Sequence, residues 1–287
     1  MASAKSSSIR TRLRSGKPPE TFGLTGPSVV LDKRVNAVRG DVADLALAGI
    51  LFAPHYAQPM PMTCVAPSTA VRDGASDDAA LTSELILGET FQVLDTGGDW
   101  SWGYCDADHY VGYVRADALG ALRSGEWRIS VPLATTSLST DLFMGARVSG
   151  IRDGDRIETP LGTIGLSDVD APSSDPVTIA EAFLGAPYLL GGRTVRGIDC
   201  SGLVQIAHAM IGRQLPRDSD LQRDAAGMPL APGSALQRGD IVFFPGHVGL
   251  MADASMLLHA TGHHQAVVIE PLATVEARTA PGKAYRP

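Results

Sequence analysis

Cys200, His247 and His259 are the residues of this chain whose types and spacing could do chemistry. A thiol, an imidazole to take its proton and a third group to hold that imidazole make a nucleophilic acyl-transfer centre. Cys200 stands where the Gly-rich stretch Gly191-Gly192-Arg193-Thr194 runs into a helical pattern. Leu203, Val204, Ala207 and Ile211 recur at three-and-four spacing, and Gly212 stops the run. In a first helical turn a thiol feels the positive end of the helix dipole and unpaired amides, both of which favour thiolate. The competing reading is a small residue packed under the helix, because free cysteine is among the most buried residue types.

The two histidines flank Ala252-Asp253-Ala254-Ser255, a small polar stretch suited to a turn. A hairpin centred on Asp253 puts them directly opposite each other on one face, with Cβ atoms about 4.5–5.5 Å apart. One can then act as base and the other as its orienting partner. His208 lies on the flank of the Cys200 helix and reads as structural or surface; His263 and His264 read as loop residues after Gly262, and His55 as a surface residue. None of His208, His247, His259, His263 and His264 stands at metal-ligand spacing from a cysteine, so neither a metal site nor a cofactor is expected.

The elements that must position these groups follow from periodicity. Asp175 can cap, and Pro176 start, a helix over about 176–184 that Gly185 ends. Apolar runs at 240–244, 247–251, 256–260 and 266–270 read as strands. Helices first and an antiparallel sheet after make an α+β domain over 171–287.

Upstream, Phe91 and Val93, then Trp100, Trp102 and Tyr104, alternate at period two around Thr96-Gly97-Gly98-Asp99, a hairpin signature. The stretch 109–114 reads as the next strand, and 66–122 as a small β-barrel. Residues 123–170 repeat the theme more faintly, with strands at 127–131, 146–148 and 161–166, and are read as a second, diverged barrel. Residues 1–65 form an N-terminal extension: a polar, basic segment to about 28 expected to be disordered, a helix over about 39–52, and a Pro-rich connector over 54–67.

At 287 residues the chain is long enough for two or three domains, and 44% hydrophobic with 19% charged residues is ordinary for a soluble globular protein. A net charge of −7 argues against nucleic acid or an anionic membrane surface as partner. Cys64, Cys105 and Cys200 are odd in number and far apart, which fits a reducing compartment better than a disulfide framework. With no apolar core of signal-peptide length near the N-terminus, the expected location is the cytoplasm.

Several motifs in order, Gly191-Gly192-Arg193-Thr194, Asp199-Cys200-Ser201-Gly202-Leu203-Val204, Pro216-Arg217-Asp218-Ser219, Arg238-Gly239-Asp240-Ile241-Val242, Gly246-His247-Val248-Gly249 and Leu258-His259-Ala260, resemble the NlpC-type cell-wall cysteine peptidases of the papain-like superfamily. Glu84-Leu85 followed by Gly88-Glu89, Gly98-Asp99-Trp100 and Tyr110-Val111-Gly112-Tyr113-Val114 is similar to bacterial SH3-like domains. The whole layout resembles the γ-D-glutamyl-L-diamino acid endopeptidases, the dipeptidyl-peptidase VI-like group.

That resemblance implies a papain-like catalytic domain behind SH3-like barrels, with Cys200 as nucleophile, His247 as base and His259 orienting it. It implies cleavage of the γ-D-Glu–diamino acid bond of murein stem peptides and recognition of the free amine of an N-terminal L-Ala. Asp199, Ser201 and Ser219 carry over as binding residues, as do Glu84 and Tyr110 of the first barrel, with Tyr113 a rival for Tyr110. Asp199 also reads as a plain helix N-cap and Ser219 as a plain loop serine; Arg217 and Asp218 read as structural. The amide of Cys200 is the first candidate oxyanion donor. Leu189-Leu190 replaces an aromatic that such peptidases often carry, which opens that wall of the groove. Two other functions compete: a thiol amidase or acyltransferase on another γ-glutamyl or acyl substrate, and a wall-binding module fused to an inactive peptidase fold.

Overall fold

A computed structural model describes residues 30–169 and 173–287. The expected disordered segment before residue 29 lies outside the described residues.

The first β-domain is a seven-stranded antiparallel sheet. Its order is Leu81–Ile86, Ser68–Arg72, Val111–Arg115, Trp100–Cys105, Thr90–Gly97, Met60–Cys64 and Leu119–Gly120. The predicted hairpin is present, turning at Gly98 with φ +59°. Gly103 has to be glycine there, since a Cβ would stand 1.9 Å from the Gln92 carbonyl oxygen. Cys64, Val71, Leu85, Phe91, Val93, Cys105 and Val114 fill the interior.

Two expectations upstream need correction. The 39–52 segment is not a helix: Val42–Asp44 is a strand paired in parallel with His55–Ala57, followed by one 3-10 turn, Leu45–Leu47. Asp44 accepts from the Ala46 amide and so caps a single turn, and Gly49 at φ +87° then redirects the chain. Leu45, Ile50 and Phe52 stay exposed, so the helix-like spacing served no buried face. The supposed connector over 54–67 is also structured. Met60–Cys64 pairs with Thr90–Gly97 and with Leu119–Gly120, so the first β-domain begins before residue 66.

Residues 123–169 fold as three small sheets. Trp127–Arg128 pairs with Arg147–Val148, Leu133–Thr135 with Asp141–Phe143, and Ile151–Asp153, Arg156–Thr159 and Gly162–Gly165 form the third. Ile129, Leu142, Phe143, Ile157 and Ile164 share one apolar core with Val177, Phe183, Leu203 and Ile206 of the following domain. Arg128 donates to the Ala209 carbonyl at 2.8 Å, placing a cation on the negative end of the next long helix.

The C-terminal domain sets its helices against a five-stranded antiparallel sheet. Helix α1 (Pro176–Glu181) is capped as expected, Asp175 accepting from the Val177 amide. Helix α2 (Cys200–Met210) follows; it is buried on every side rather than along one face. That follows from its position between the sheet, α1 and the β-domains. Helix α3 (Ser219–Ala225) precedes the sheet, whose order is Ala266–Pro271, Met256–Thr261, His247–Met251, Ile241–Phe244 and Lys283–Tyr285. Helix α4 (Leu272–Arg278) links the last two strands in sequence. Among the described residues no helix is long and apolar enough to cross a membrane.

Candidate active site

Cys200 opens α2, with Asp199 as its N-cap. The Asp199 Oδ1 accepts from the Gly202 amide at 2.7 Å, and Gly202 is tight against the Gly192 carbonyl, 2.5 Å from where a Cβ would sit. The helix start is therefore pressed onto the Gly-rich strand. The backbone amides of Val248 and Ser201 act on the Cys200 thiol, and Val248 belongs to the strand that begins with His247.

The helix-start expectation of a thiolate needs correction. Burial pushes the Cys200 thiol up to about 12, and the neighbouring Asp199 charge adds to the rise; the two amides and Arg217 oppose it without prevailing. Cys200 is only 7% exposed. His247 moves the other way, down to about 4, first through burial and then through the neighbouring His259. Both shifts favour the uncharged forms, a thiol at Cys200 and an imidazole at His247.

His247 Nε2 lies 2.7 Å from His259 Nδ1, with the rings tilted by 66°. The two do share a face, but the register differs from expectation. Leu250 pairs with Leu258 and Met251 with Leu257, so the hairpin is centred on Ala254 rather than Asp253. A shift of the centre by one residue moves each partner by two and keeps the face, so the histidines are diagonal neighbours, close enough for rings to meet. Beyond His259, its Nε2 lies 2.9 Å from Glu270 Oε1, and Arg278 pairs with Glu270. Glu270 was not singled out from sequence. Its signal was parity: it stands two residues after Val268, the register partner of His259, and so on the same face.

Above α2 a second charged group forms around Arg217, which is 1% exposed. Its Nη1 and Nη2 donate to both Asp199 oxygens at 3.0 and 2.7 Å, its Nε to Ser83 Oγ of the first β-domain, and Nη1 also to Ser201 Oγ. Asp199 further accepts from the Gly191 amide at 2.7 Å and from Ser201 Oγ at 3.2 Å. Instead of the open carboxylate expected beside the nucleophile, Asp199 has five donors in place. Ser219 is the first residue of α3, and its hydroxyl makes no hydrogen bond among the described residues.

The first β-domain contributes directly. Glu84 Oε2 accepts from the Arg193 amide at 2.7 Å, and burial raises its carboxyl above the usual range. Arg193 is held by Glu89 at 2.8 Å. Tyr110 is buried and donates to Asp218 at 3.1 Å, and Asp218 is also paired with Arg34. Tyr113 lies away from this contact, accepting from Arg39. Tyr188, missed from sequence, feels both its burial and the charge of Cys200, which push its phenol up to about 12. Leu189 and Leu190 are exposed. His208 is buried, bonded through Nδ1 to the Val204 carbonyl on its own helix, and is structural. Among the described residues no cluster of three or more metal-ligating side chains forms.

Residues 185–280 match the NlpC/P60 family, and 71–119 match the bacterial dipeptidyl-peptidase SH3 domain. Dipeptidyl-peptidase 6 of Lysinibacillus sphaericus is 37% identical over 87 residues, 30% of this chain and 31% of that one. The γ-D-glutamyl-L-lysine dipeptidyl-peptidase of Bacillus subtilis is 25% identical over 262 residues, covering 75% of this chain and 88% of that one. The chain thus spans less than a third of the first relative's length and most of the second's. In fold, a Bacillus cereus NlpC/P60 family protein superposes with a TM-score of 0.67 at 19% identity, over 79% of this chain and 99% of that one. Cys200, its histidine pair and the docked β-domain therefore sit in an NlpC/P60 domain of papain-like fold, preceded by a bacterial dipeptidyl-peptidase SH3 domain.

Proposed function

We propose that the protein is a cysteine endopeptidase that hydrolyses the γ-D-Glu–diamino acid bond of murein stem peptides carrying a free N-terminal L-Ala. The observation that carries this reading is the His247–His259 pair in the NlpC/P60 domain whose helix α2 opens with Cys200, a domain on which the first β-domain docks through Glu84 to Arg193 and Tyr110 to Asp218. The similarity to enzymes named for γ-D-glutamyl-L-lysine peptides supports the substrate class.

In this reading His247 takes the Cys200 proton as the sulfur attacks the scissile carbonyl carbon. The S–H bond breaks, an N–H bond forms on the imidazole, and the carbonyl oxygen becomes an oxyanion. The Cys200 amide, at the start of α2, is the donor assigned to that oxyanion. Collapse expels the diamino acid amine, which takes the proton from His247 and leaves a thioester. Water then hydrolyses the thioester, with His247 again accepting a proton. A thiol held neutral by burial suits such coupled transfer, because no charge needs to be desolvated before the substrate arrives.

In the same reading Glu84 and Tyr110 supply acceptors for the ammonium. Asp199, Ser201 and Ser219 are assigned to the same recognition, the ammonium sharing the Asp199 carboxylate with Arg217. Three unpaired cysteines fit a reducing compartment, and we place the activity in the cytoplasm, on peptide fragments rather than intact wall.

The test compares L-Ala-γ-D-Glu-diaminopimelate with its N-acetylated form, using wild type and Cys200→Ala. The free-amine peptide is cleaved by wild type alone, and acetylation lowers kcat/KM by 100-fold or more, about 2.7 kcal/mol for loss of a charge-assisted contact. Equal cleavage of both peptides transfers the assignment to a thiol amidase or acyltransferase. Failure to cleave either leaves a binding module.

A further inference from the structure

Glu270 has no role in the steps above, yet it ends the line of hydrogen bonds that begins at the base. From the geometry we infer that Glu270, clamped by Arg278, is a positioning residue that fixes the tautomers of both histidines and so leaves Nδ1 of His247 as its unprotonated nitrogen. This rests on the assignment of Cys200 and His247 as nucleophile and base.

An ionised carboxylate can only accept hydrogen bonds. Arg278 keeps Glu270 in that state, its guanidinium bonding both carboxylate oxygens, with the carboxyl held down to about 2 chiefly by this contact. His259 Nε2, 2.9 Å from Glu270 Oε1, must therefore carry its hydrogen. His259 is 1% exposed and burial keeps it neutral, so its Nδ1 is left as an acceptor. The atom 2.7 Å from that acceptor is His247 Nε2, which must donate. Only Nδ1 of His247 then remains without a hydrogen, and it is the nitrogen free to receive the thiol proton.

Each link has one donor and one acceptor, so one charged residue two rings away decides which nitrogen is the base. The charged and titratable groups facing this line are Arg278, His264 at 3.5 Å from Glu270, and Asp199 at the nucleophile end.

Glu270→Gln keeps the shape and reverses the line. His259 Nε2 and Arg278 Nη2 share Oε1, so an amide NH2 at that position gives up the Nη2 contact, donates to His259 Nε2, and leaves the amide oxygen with Arg278 Nη1. His259 then donates from Nδ1, and the hydrogen on His247 moves to Nδ1. With 15N-labelled histidine, NMR at neutral pH is expected to show wild-type His247 and His259 protonated on Nε2 and both on Nδ1 in Glu270→Gln. The variant's kcat is expected to fall about 10²-fold or more with KM unchanged, less than the roughly 10⁴-fold seen when such an inversion occurs beside the base itself. Glu270→Asp, still an acceptor-only anion, is expected to recover at least about tenfold of that loss.

Wild-type His259 protonated on Nδ1 would overturn the inference, as would Glu270→Gln with wild-type tautomers and kcat. The tautomers are read without turnover. A wild type that cleaves no γ-D-glutamyl peptide therefore counts against the proposed activity while the NMR still decides the relay.

Discussion

Two charged arrays flank Cys200, and they are built on opposite plans. On the sheet side the groups stand in single file, from His247 to His259 to Glu270 to Arg278, with one hydrogen bond per link between the rings. Over the start of α2 they converge: Asp199, Ser201, Ser83 and the Gly192 carbonyl all meet Arg217. A single file fixes where a proton is, because the two imidazoles share one hydrogen bond and only His259 Nε2 passes it on to Glu270. A convergent cluster fixes where atoms are, because losing one bond leaves several others. The first plan suits chemistry and the second suits holding two domains at a set spacing.

Breaking the convergent cluster at its centre is expected to have the largest effect. Arg217→Met removes the cation from a site 1% exposed and leaves the buried Asp199 carboxylate without its charge partner. The expected cost is about 3–5 kcal/mol of unfolding free energy, read from urea titration. The Asp199→Asn/Arg217→Met double variant is expected to lose less than the sum of the two single changes, because both singles break the same pair. Additive losses would mean that the ion pair is not what holds α2 to the first β-domain.

The single file is tested by pH. His247 is depressed to about 4, so between that value and its unfolded value near 6.5 it stays neutral in the fold. It can accept the thiol proton throughout that window, and kcat/KM is expected to hold as pH falls through 6.5 and to drop only near 4. Stability runs in the same sense. The unfolded chain binds the extra proton first, so the His247 contribution is fully present above about 6.5 and is lost as pH falls towards 4. Of the charged groups acting on the ring, His259 and Arg278 lower its value, while Glu270 and Asp199 pull it upward. An acid limb at 6.5 would mean that the imidazole is solvated in the working enzyme.

The two arrays were not equally legible in the sequence. His247 and His259 could be paired because strand parity survives an error in the turn: the centre moved from Asp253 to Ala254 and the face did not change. The Cys200 helix, its Asp199 cap and the sheet strands are encoded locally, in spacing and capping residues. Arg217 is different. It bonds Ser83 across 134 residues of sequence, and nothing near Pro216-Arg217-Asp218 announces that partner. Glu270 was hidden for a related reason, since the clamp that makes it an anion comes from α4 after a change of element. The false helix at 39–52 shows the converse failure. Its apolar spacing fits a helix, but Leu45, Ile50 and Phe52 meet no core, and the strand pairing Val42–Asp44 with His55–Ala57 wins.

The smallest expected effect separates docking from substrate recognition within the convergent side. Tyr110 donates to Asp218 at 3.1 Å, while Asp218 also holds Arg34 at 2.8 Å. In Tyr110→Phe the carboxylate keeps its cation, so stability is expected to change by only about 1 kcal/mol. If the phenol oxygen also accepts from the substrate ammonium, the variant loses a second, charge-assisted contact made only by free-amine peptides. KM for L-Ala-γ-D-Glu-diaminopimelate is then expected to rise about tenfold, near 1.4 kcal/mol, with kcat and the rate on any N-acetylated peptide unchanged. A Tyr110→Phe variant that raises KM equally for both peptides would make the tyrosine a docking residue alone, leaving Glu84 to meet the amine.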